Sequence, residues 1–188
     1  YAVDARPDTG LHNARLGVWL FIASEVMLFA GLFSAYVLIR TGAASWPQHD
    51  RPVVLATINT AALIASSISM VRAWTALQEQ DWGAHRRALA LTAALGTLFL
   101  GIKGYEYAGH VATGELPSHD VYFALYWTLT GLHALHILGG LVVLLYFLGP
   151  GAALWQRRPR QFTNRIEATG LYWHFVDLVW MLLFPVLY

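Results

Sequence analysis

Apolar, uncharged residues fall in five long blocks separated by short polar connections. Between Arg15 and Arg40 lie 24 residues with a single charge, Glu25. Further blocks occupy roughly 53–73, 86–108, 121–148 and 168–188. About 20 helical residues cross the hydrocarbon core, so each block predicts a transmembrane helix, the first at roughly 16–39. The first block is too long for a signal-peptide core, and no small-x-small cleavage pattern follows it. In the third block only 15 residues, Ala88 to Ile102, run uncharged, so that helix carries Lys103, Tyr105 and Glu106 near its end. Lys103 and Glu106 are three apart and placed to pair on one face. The pattern predicts an all-α, polytopic membrane bundle of five helices, with residues 1–188 forming a single transmembrane domain. Its loops are too short for a water-soluble domain. No internal repeat is visible, which weakens an inverted-repeat transporter.

Composition narrows the classes. Charged residues make up 12% of the chain, about half the share in a soluble domain. Disorder, coiled coil and nucleic-acid binding all need more charge. With no cysteine, disulfides, zinc–thiolate sites, iron–sulfur clusters and thiolate-bridged copper are excluded. Nine basic residues fall on one side of the predicted spans: Arg6, Arg15, Arg72, Arg86, Arg87, Arg157, Arg158, Arg160 and Arg165. Three fall on the other, Arg40, Arg51 and Lys103. That imbalance places the N-terminus in the cytoplasm and the C-terminus in the periplasm. Arg158 and Arg160 either contact lipid phosphates or serve only as topology-setting charge. Trp46, Trp82, Trp155, Tyr105, Tyr107 and Tyr122 fall at span ends, as interfacial anchors do.

Polar residues inside the spans are the candidate chemistry, because ionisable groups in hydrocarbon are costly. Glu25 lies ten residues from Arg15, about 15 Å along a helix and near the midplane. It is expected to be protonated or paired across helices, as a proton-active or lipid-contacting acid or as a simple interhelical hydrogen-bond donor. His133 and His136 stand at i and i+3, with Tyr126 and Thr130 on the same stripe. His174 and Asp177 repeat that spacing, with Glu167 seven residues earlier. A di-iron site needs Glu-x-x-His on two helices and a Glu on each of two others, a pattern not met here. A haem held between His133 or His136 and His174 is compatible with the spacing; hydrogen-bonded packing is the alternative. Asn59, Thr60, Ser66 and Ser67 can bond across helix seams. Gly131, Ala134, Gly139 and Gly140, with Ala90, Ala93, Ala94 and Gly96, permit close helix approach.

Read as strings, these segments resemble subunit III of the haem–copper respiratory oxidases. Leu20-Phe-Ile-Ala-Ser-Glu25-Val is close to that family's LFI-x-SEV helix. Leu55 to Ser69 carries an Asn59-Thr60 pair and a serine-rich continuation. Lys103-Gly-Tyr-Glu106-Tyr is similar to the family's x-x-x-EY. Thr130-Gly-Leu-His133-Ala-Leu-His136 matches TGLH-x-LH, and Tyr172-Trp-His174-Phe-Val-Asp177-Leu-Val-Trp180 is very close to YWHFVD-x-VW. The motifs keep family order from about residue 16 onward. Longer members carry two further N-terminal helices that this sequence does not contain, as in the short bacterial forms.

The resemblance implies a multi-pass inner-membrane subunit of a bacterial proton-pumping terminal oxidase. It would carry no cofactor or catalytic residue of its own. Haem and copper would belong to subunits I and II, with subunit I the main contact. Bound phospholipid is expected, cytochrome c as donor to the complex, and a respiratory supercomplex is left open. The chain would support oxygen access, proton uptake and turnover stability. Glu25, Asn59, Glu106, His133, His136, Glu167, His174 and Asp177 would be its intramembrane polar residues, structural or on the proton and oxygen routes. The third subunit of a quinol oxidase and a protein accompanying nitric oxide reductase share the resemblance. A haem-binding anchor and a proton channel built on Glu25 are the other classes, and neither accounts for the ordered motifs.

Overall fold

The computed structural model describes residues 13–47 and 53–188; Arg6 and Arg51, counted in the charge balance, lie outside them. Five long helices dominate: α1 (Asn13–Gly42), α2 (Val53–Gln78), α3 (Trp82–Thr113), α4 (Val121–Leu148) and α6 (Pro159–Leu187). A 3₁₀ turn (Pro150–Ala152) and the short α5 (Ala153–Arg157) connect α4 to α6. All five long helices are long and apolar enough to cross a membrane. The shortest, with 26 residues, measures about 39 Å against a hydrocarbon thickness of about 30 Å.

The helices outrun the apolar blocks because their ends need no hydrocarbon. Helix α6 starts at Pro159 rather than near 168, since its arginines occupy turns outside the apolar layer. Pro159 suits a first turn, where its missing N–H would have no partner. Helix α3 starts at Trp82, where Asp81 accepts a hydrogen bond from the Ala84 N–H at 2.8 Å and caps the helix. It stops at Gly114, whose φ of 79° lets its N–H reach the His110 and Val111 carbonyls. Asp120 caps α4 through the Phe123 N–H at 2.9 Å.

Buried positions alternate in steps of three and four. In α3 they include His85, Leu89, Thr92, Gly96, Phe99, Lys103 and Glu106. In α2 they include Ala56, Asn59, Leu63, Ser66, Met70, Ala73 and Leu77, and α6 keeps the rhythm from Phe162 to Leu187. A 3.5-residue period is that of left-handed helix packing at roughly 20°. Among its described residues helix α1 buries only Ile22, Phe29 and Tyr36, seven residues apart, along α6. Among the described residues α1 packs on α6 and touches α4, with no close backbone approach to α2 or α3. Its other faces expose Trp19, Leu20, Met27 and Leu38, which suits a hydrocarbon solvent.

Trp173 is the hub of the bundle. Its indole N–H donates to Ser66 Oγ at 2.7 Å, tying α6 to α2. A Cβ added at Gly96 would lie 2.8 Å from its ring, and one at Gly140 also 2.8 Å. Of the four glycines named from sequence, only these two are required by close approach. Gly131 and Gly139 would meet their neighbours at ordinary distances, and Ala90 and Ala94 are exposed.

Two expected interfacial anchors belong to the packing instead. Tyr122 is buried and its hydroxyl donates to the Leu187 carbonyl at 3.2 Å. Tyr107 bonds Thr130 at 2.7 Å. Tyr105 is exposed, as an anchor should be. Trp82 and Trp155 stack on each other at 5.5 Å, closing the end of the bundle beneath the α2–α3 turn.

Candidate functional site

Glu25 and His136 come together across the α1–α4 seam. The Val18–Ile22–Glu25–Phe29 spacing puts Glu25 on the stripe that α1 turns inward, and His136 meets it from the edge of the α4 stripe. Glu25 Oε2 lies 2.9 Å from His136 Nε2, and both side chains are 14% exposed. His136 Nδ1 lies 2.8 Å from the Leu132 carbonyl. A carbonyl only accepts, so Nδ1 carries a proton and Nε2 faces the carboxyl with its bonding position free. A hydrogen bond between them then takes one proton, supplied by either the carboxyl or Nε2. Tyr172 supports it from α6, its hydroxyl donating to the His136 carbonyl at 2.8 Å. Tyr172 also lines an apolar groove of about 380 Å³ with Gly17, Val18, Phe21, Gly139 and Val143. Tyr172 thus links the pair to a groove shared by α1, α4 and α6.

A second cluster lies toward the opposite end of the bundle. Lys103, on the buried stripe of α3, is 2% exposed. Its ammonium donates to Glu106 Oε2 at 3.0 Å, to the Tyr126 hydroxyl at 3.0 Å and to the Tyr188 hydroxyl at 2.6 Å. The Tyr126 hydroxyl donates to Glu106 Oε1 at 2.6 Å, and the Tyr188 hydroxyl donates to the same oxygen. All three ammonium protons and both carboxylate oxygens are engaged, and the Trp180 ring stands 5.2 Å from Nζ. A paired, fully bonded lysine is the form in which a charge persists at such depth. The pairing of Lys103 with Glu106 matches their i, i+3 spacing. Tyr126 was legible from sequence only as part of the polar stripe of α4, and Tyr188 had no sequence signal.

The remaining polar residues occupy separate seams. His174 Nδ1 lies 2.5 Å from Ser67 Oγ on α2. His133 packs between Phe99 and Trp180, with ring centroids at 5.5 and 5.3 Å. Asn59, His133 and Asp177 are buried without a protein hydrogen-bond partner among the described residues. Glu167 is ion-paired with Arg15, joining α6 to α1. Thr60 accepts from the Trp180 indole at 3.0 Å. His136 therefore faces α1, His133 the bundle centre and His174 α2. His136 has both nitrogens engaged, by Leu132 and Glu25, which counts against it as an axial haem ligand. Among the described residues no group of three or more potential ligands is arranged to hold a metal ion.

The order of these clusters along the chain can be set against known proteins. The family model described as cytochrome c oxidase subunit III matches residues 8–188. The chain belongs to the cytochrome c oxidase subunit III family. It is 34% identical over 180 residues to cytochrome c oxidase subunit 3 of Synechocystis, covering 92% of this chain and 73% of that protein. Identity to cytochrome c oxidase subunit 3 of Thermostichus vulcanus is 35%, over 92% of this chain and 85% of that one. Cytochrome bo(3) ubiquinol oxidase subunit 3 of Pseudomonas aeruginosa is 31% identical, over 98% and 88%. As a subunit III of the haem–copper oxidases, the chain is a respiratory, multi-pass membrane protein whose relatives are parts of an oxidoreductase complex. The five spans read from sequence correspond to the five long helices of the structure.

Proposed function

We propose that the chain is the accessory, non-redox third subunit of a bacterial proton-pumping terminal oxidase. It forms one domain, sits in the cytoplasmic membrane with its N-terminus inside, and packs chiefly on subunit I, with subunit II also in the complex. Haem and copper belong to those subunits, and oxygen is reduced there with cytochrome c as donor. This chain holds phospholipid, with Arg158 and Arg160 at headgroups, and supports oxygen access, proton uptake and turnover lifetime. What carries the reading is the family match over residues 8–188. The engagement of His136 by Glu25 and Leu132 supports it, since the imidazole is committed to packing. Glu25 and His136 are the residues closest in chemistry to a proton or oxygen route. Asn59, Glu106, His133, Glu167, His174 and Asp177 hold the bundle. The 31% identity to a ubiquinol oxidase subunit favours a second reading, in which quinol is the donor.

The test is to extract the complex in mild detergent through a tag on this chain and record reduced-minus-oxidised spectra. Oxidase-type haem in the complex and none on the separated chain is the expected result. Haem retained by the separated chain, and lost in His174→Ala, would overturn the accessory role. Glu25→Gln is expected to leave haem content intact and to change pumping or turnover lifetime modestly. Complete loss of oxygen reduction in that variant would also count against it. A dinuclear copper site in the co-purified subunit II decides for cytochrome c over quinol.

A further inference from the structure

The outer side of the α2–α3 hairpin, exposed in the chain, carries a groove that none of the clusters above uses. It encloses about 510 Å³ and is lined by Ala65, Ile68, Ser69 and Arg72 of α2 and by Arg87, Ala88 and others of α3. The groove is there because alanines face each other where bulkier side chains would fill the seam. Its one hydroxyl makes no demand on an occupant. Ser69 Oγ donates to the Ser66 carbonyl at 2.8 Å and meets Thr92 Oγ1 at 2.7 Å. The interior is thus apolar in effect, suited to a hydrocarbon chain.

The mouth of the groove is strongly basic. Arg72 and Arg87 are exposed, and neither guanidinium has a hydrogen-bond or ion-pair acceptor among the described residues. Arg15, by contrast, is paired with Glu167. Arg72 stands six residues before the end of α2 and Arg87 five residues after the start of α3, about 9 and 7.5 Å inside the helix ends. Antiparallel neighbours at equal depth present the two cations side by side, at the level of the roughly 5–7 Å headgroup layer. The nearby Asp81 is occupied in capping α3.

We propose that Arg72 and Arg87 with this groove form a binding site for one anionic phospholipid, its phosphodiester held by both guanidiniums and an acyl chain in the groove. Arginine matches a phosphate with paired N–H groups. Two adjacent cations select against zwitterionic lipid, whose ammonium group one of them would repel. The proposal rests on the spanning of the membrane by α2 and α3, not on the chain's place in an oxidase.

The test uses the tagged full chain with whatever it assembles with, stripped of lipid in mild detergent. Phosphatidylglycerol or phosphatidylcholine is then added and bound lipid counted by native mass spectrometry. Wild type is expected to prefer phosphatidylglycerol by about 30-fold, from two basic groups near the surface. Arg72→Gln/Arg87→Gln should lose that preference, and Arg86→Gln, altering a neighbour that does not line the groove, should keep it. Ala65→Phe fills the groove with both arginines in place and should also lose the bound lipid, which keeps the test decisive if the double variant fails to assemble. Equal binding of the two lipids by wild type would overturn the site. So would an unchanged preference in the double variant, equal loss in Arg86→Gln, or undiminished binding in Ala65→Phe.

Discussion

Removing either partner of the Lys103–Glu106 pair should destabilise the chain far more than removing both. The side chains are 2% and 3% exposed and 3.0 Å apart. Lys103→Met takes away the only bond that Glu106 Oε2 makes among the described residues, while Oε1 keeps the Tyr126 and Tyr188 hydroxyls. Glu106→Gln leaves the ammonium among four rings and two hydroxyls, with no anion. Breaking one side of a buried pair costs about 3–5 kcal/mol, whereas apolar replacement of both partners is often close to neutral. Hydrogen bonds within membranes measure nearer 0.6 kcal/mol, because the unfolded chain in lipid also finds partners. Lys103 lies ten residues from the end of α3, about 15 Å, too deep for its stem alone to bring the charge to water. We therefore expect about 3 kcal/mol for each single change, and a coupling of about 2 kcal/mol or more in the Lys103→Met/Glu106→Gln cycle. The assay is reversible unfolding in mixed detergent–lipid micelles. Trp180 fluorescence is the reporter, since its ring lies 5.2 Å from the ammonium. Single variants losing under about 1 kcal/mol with additive effects would refute the assignment of this cluster as a desolvated ionic lock.

Three further outcomes are open to measurement. Gly96→Ala and Gly140→Ala each drive a methyl to 2.8 Å from Trp173 and should cost about 1–3 kcal/mol. Trp173→Leu should remove most of that added cost in either background, and a cost that persists there would show that the indole is not what the glycines accommodate. Glu25→Gln can keep the contact, its amide donating to His136 Nε2, so its stability loss should stay below about 1 kcal/mol. A hydrophobic carbodiimide should label Glu25 where a water-soluble one does not, and equal labelling by both would show that the carboxyl faces water. Asp81→Ala removes the cap on α3 and should cost about 1 kcal/mol. Hydrogen exchange at the Ala84 amide should quicken as well, and unchanged protection would place the helix start elsewhere.

Sequence determined the number of spans, since blocks of about 20 apolar residues have one stable disposition in a bilayer. Motif order was likewise enough for the family. Sequence also put Lys103 with Glu106 and required Glu25 to be neutral or paired, since an isolated charge in hydrocarbon is too costly. The ends of α3 and α6 were harder to read, because a helix continues past the apolar layer wherever caps and prolines permit.

Which residues face one another was decided by tertiary structure. In a soluble bundle the apolar stripe marks the core, but here the lipid-facing side is as apolar as the interior. Hydrophobicity therefore says little about which face turns inward. The inward stripe appears only in the small and polar residues that recur at steps of three and four, such as Ser66, Thr92, Gly96 and Lys103. The same hydroxyl or imidazole can reach several seams from its own helix. Only packing directs His136 to Glu25, His174 to Ser67 and His133 between two aromatic rings, and so separates three histidines that in sequence looked like one site.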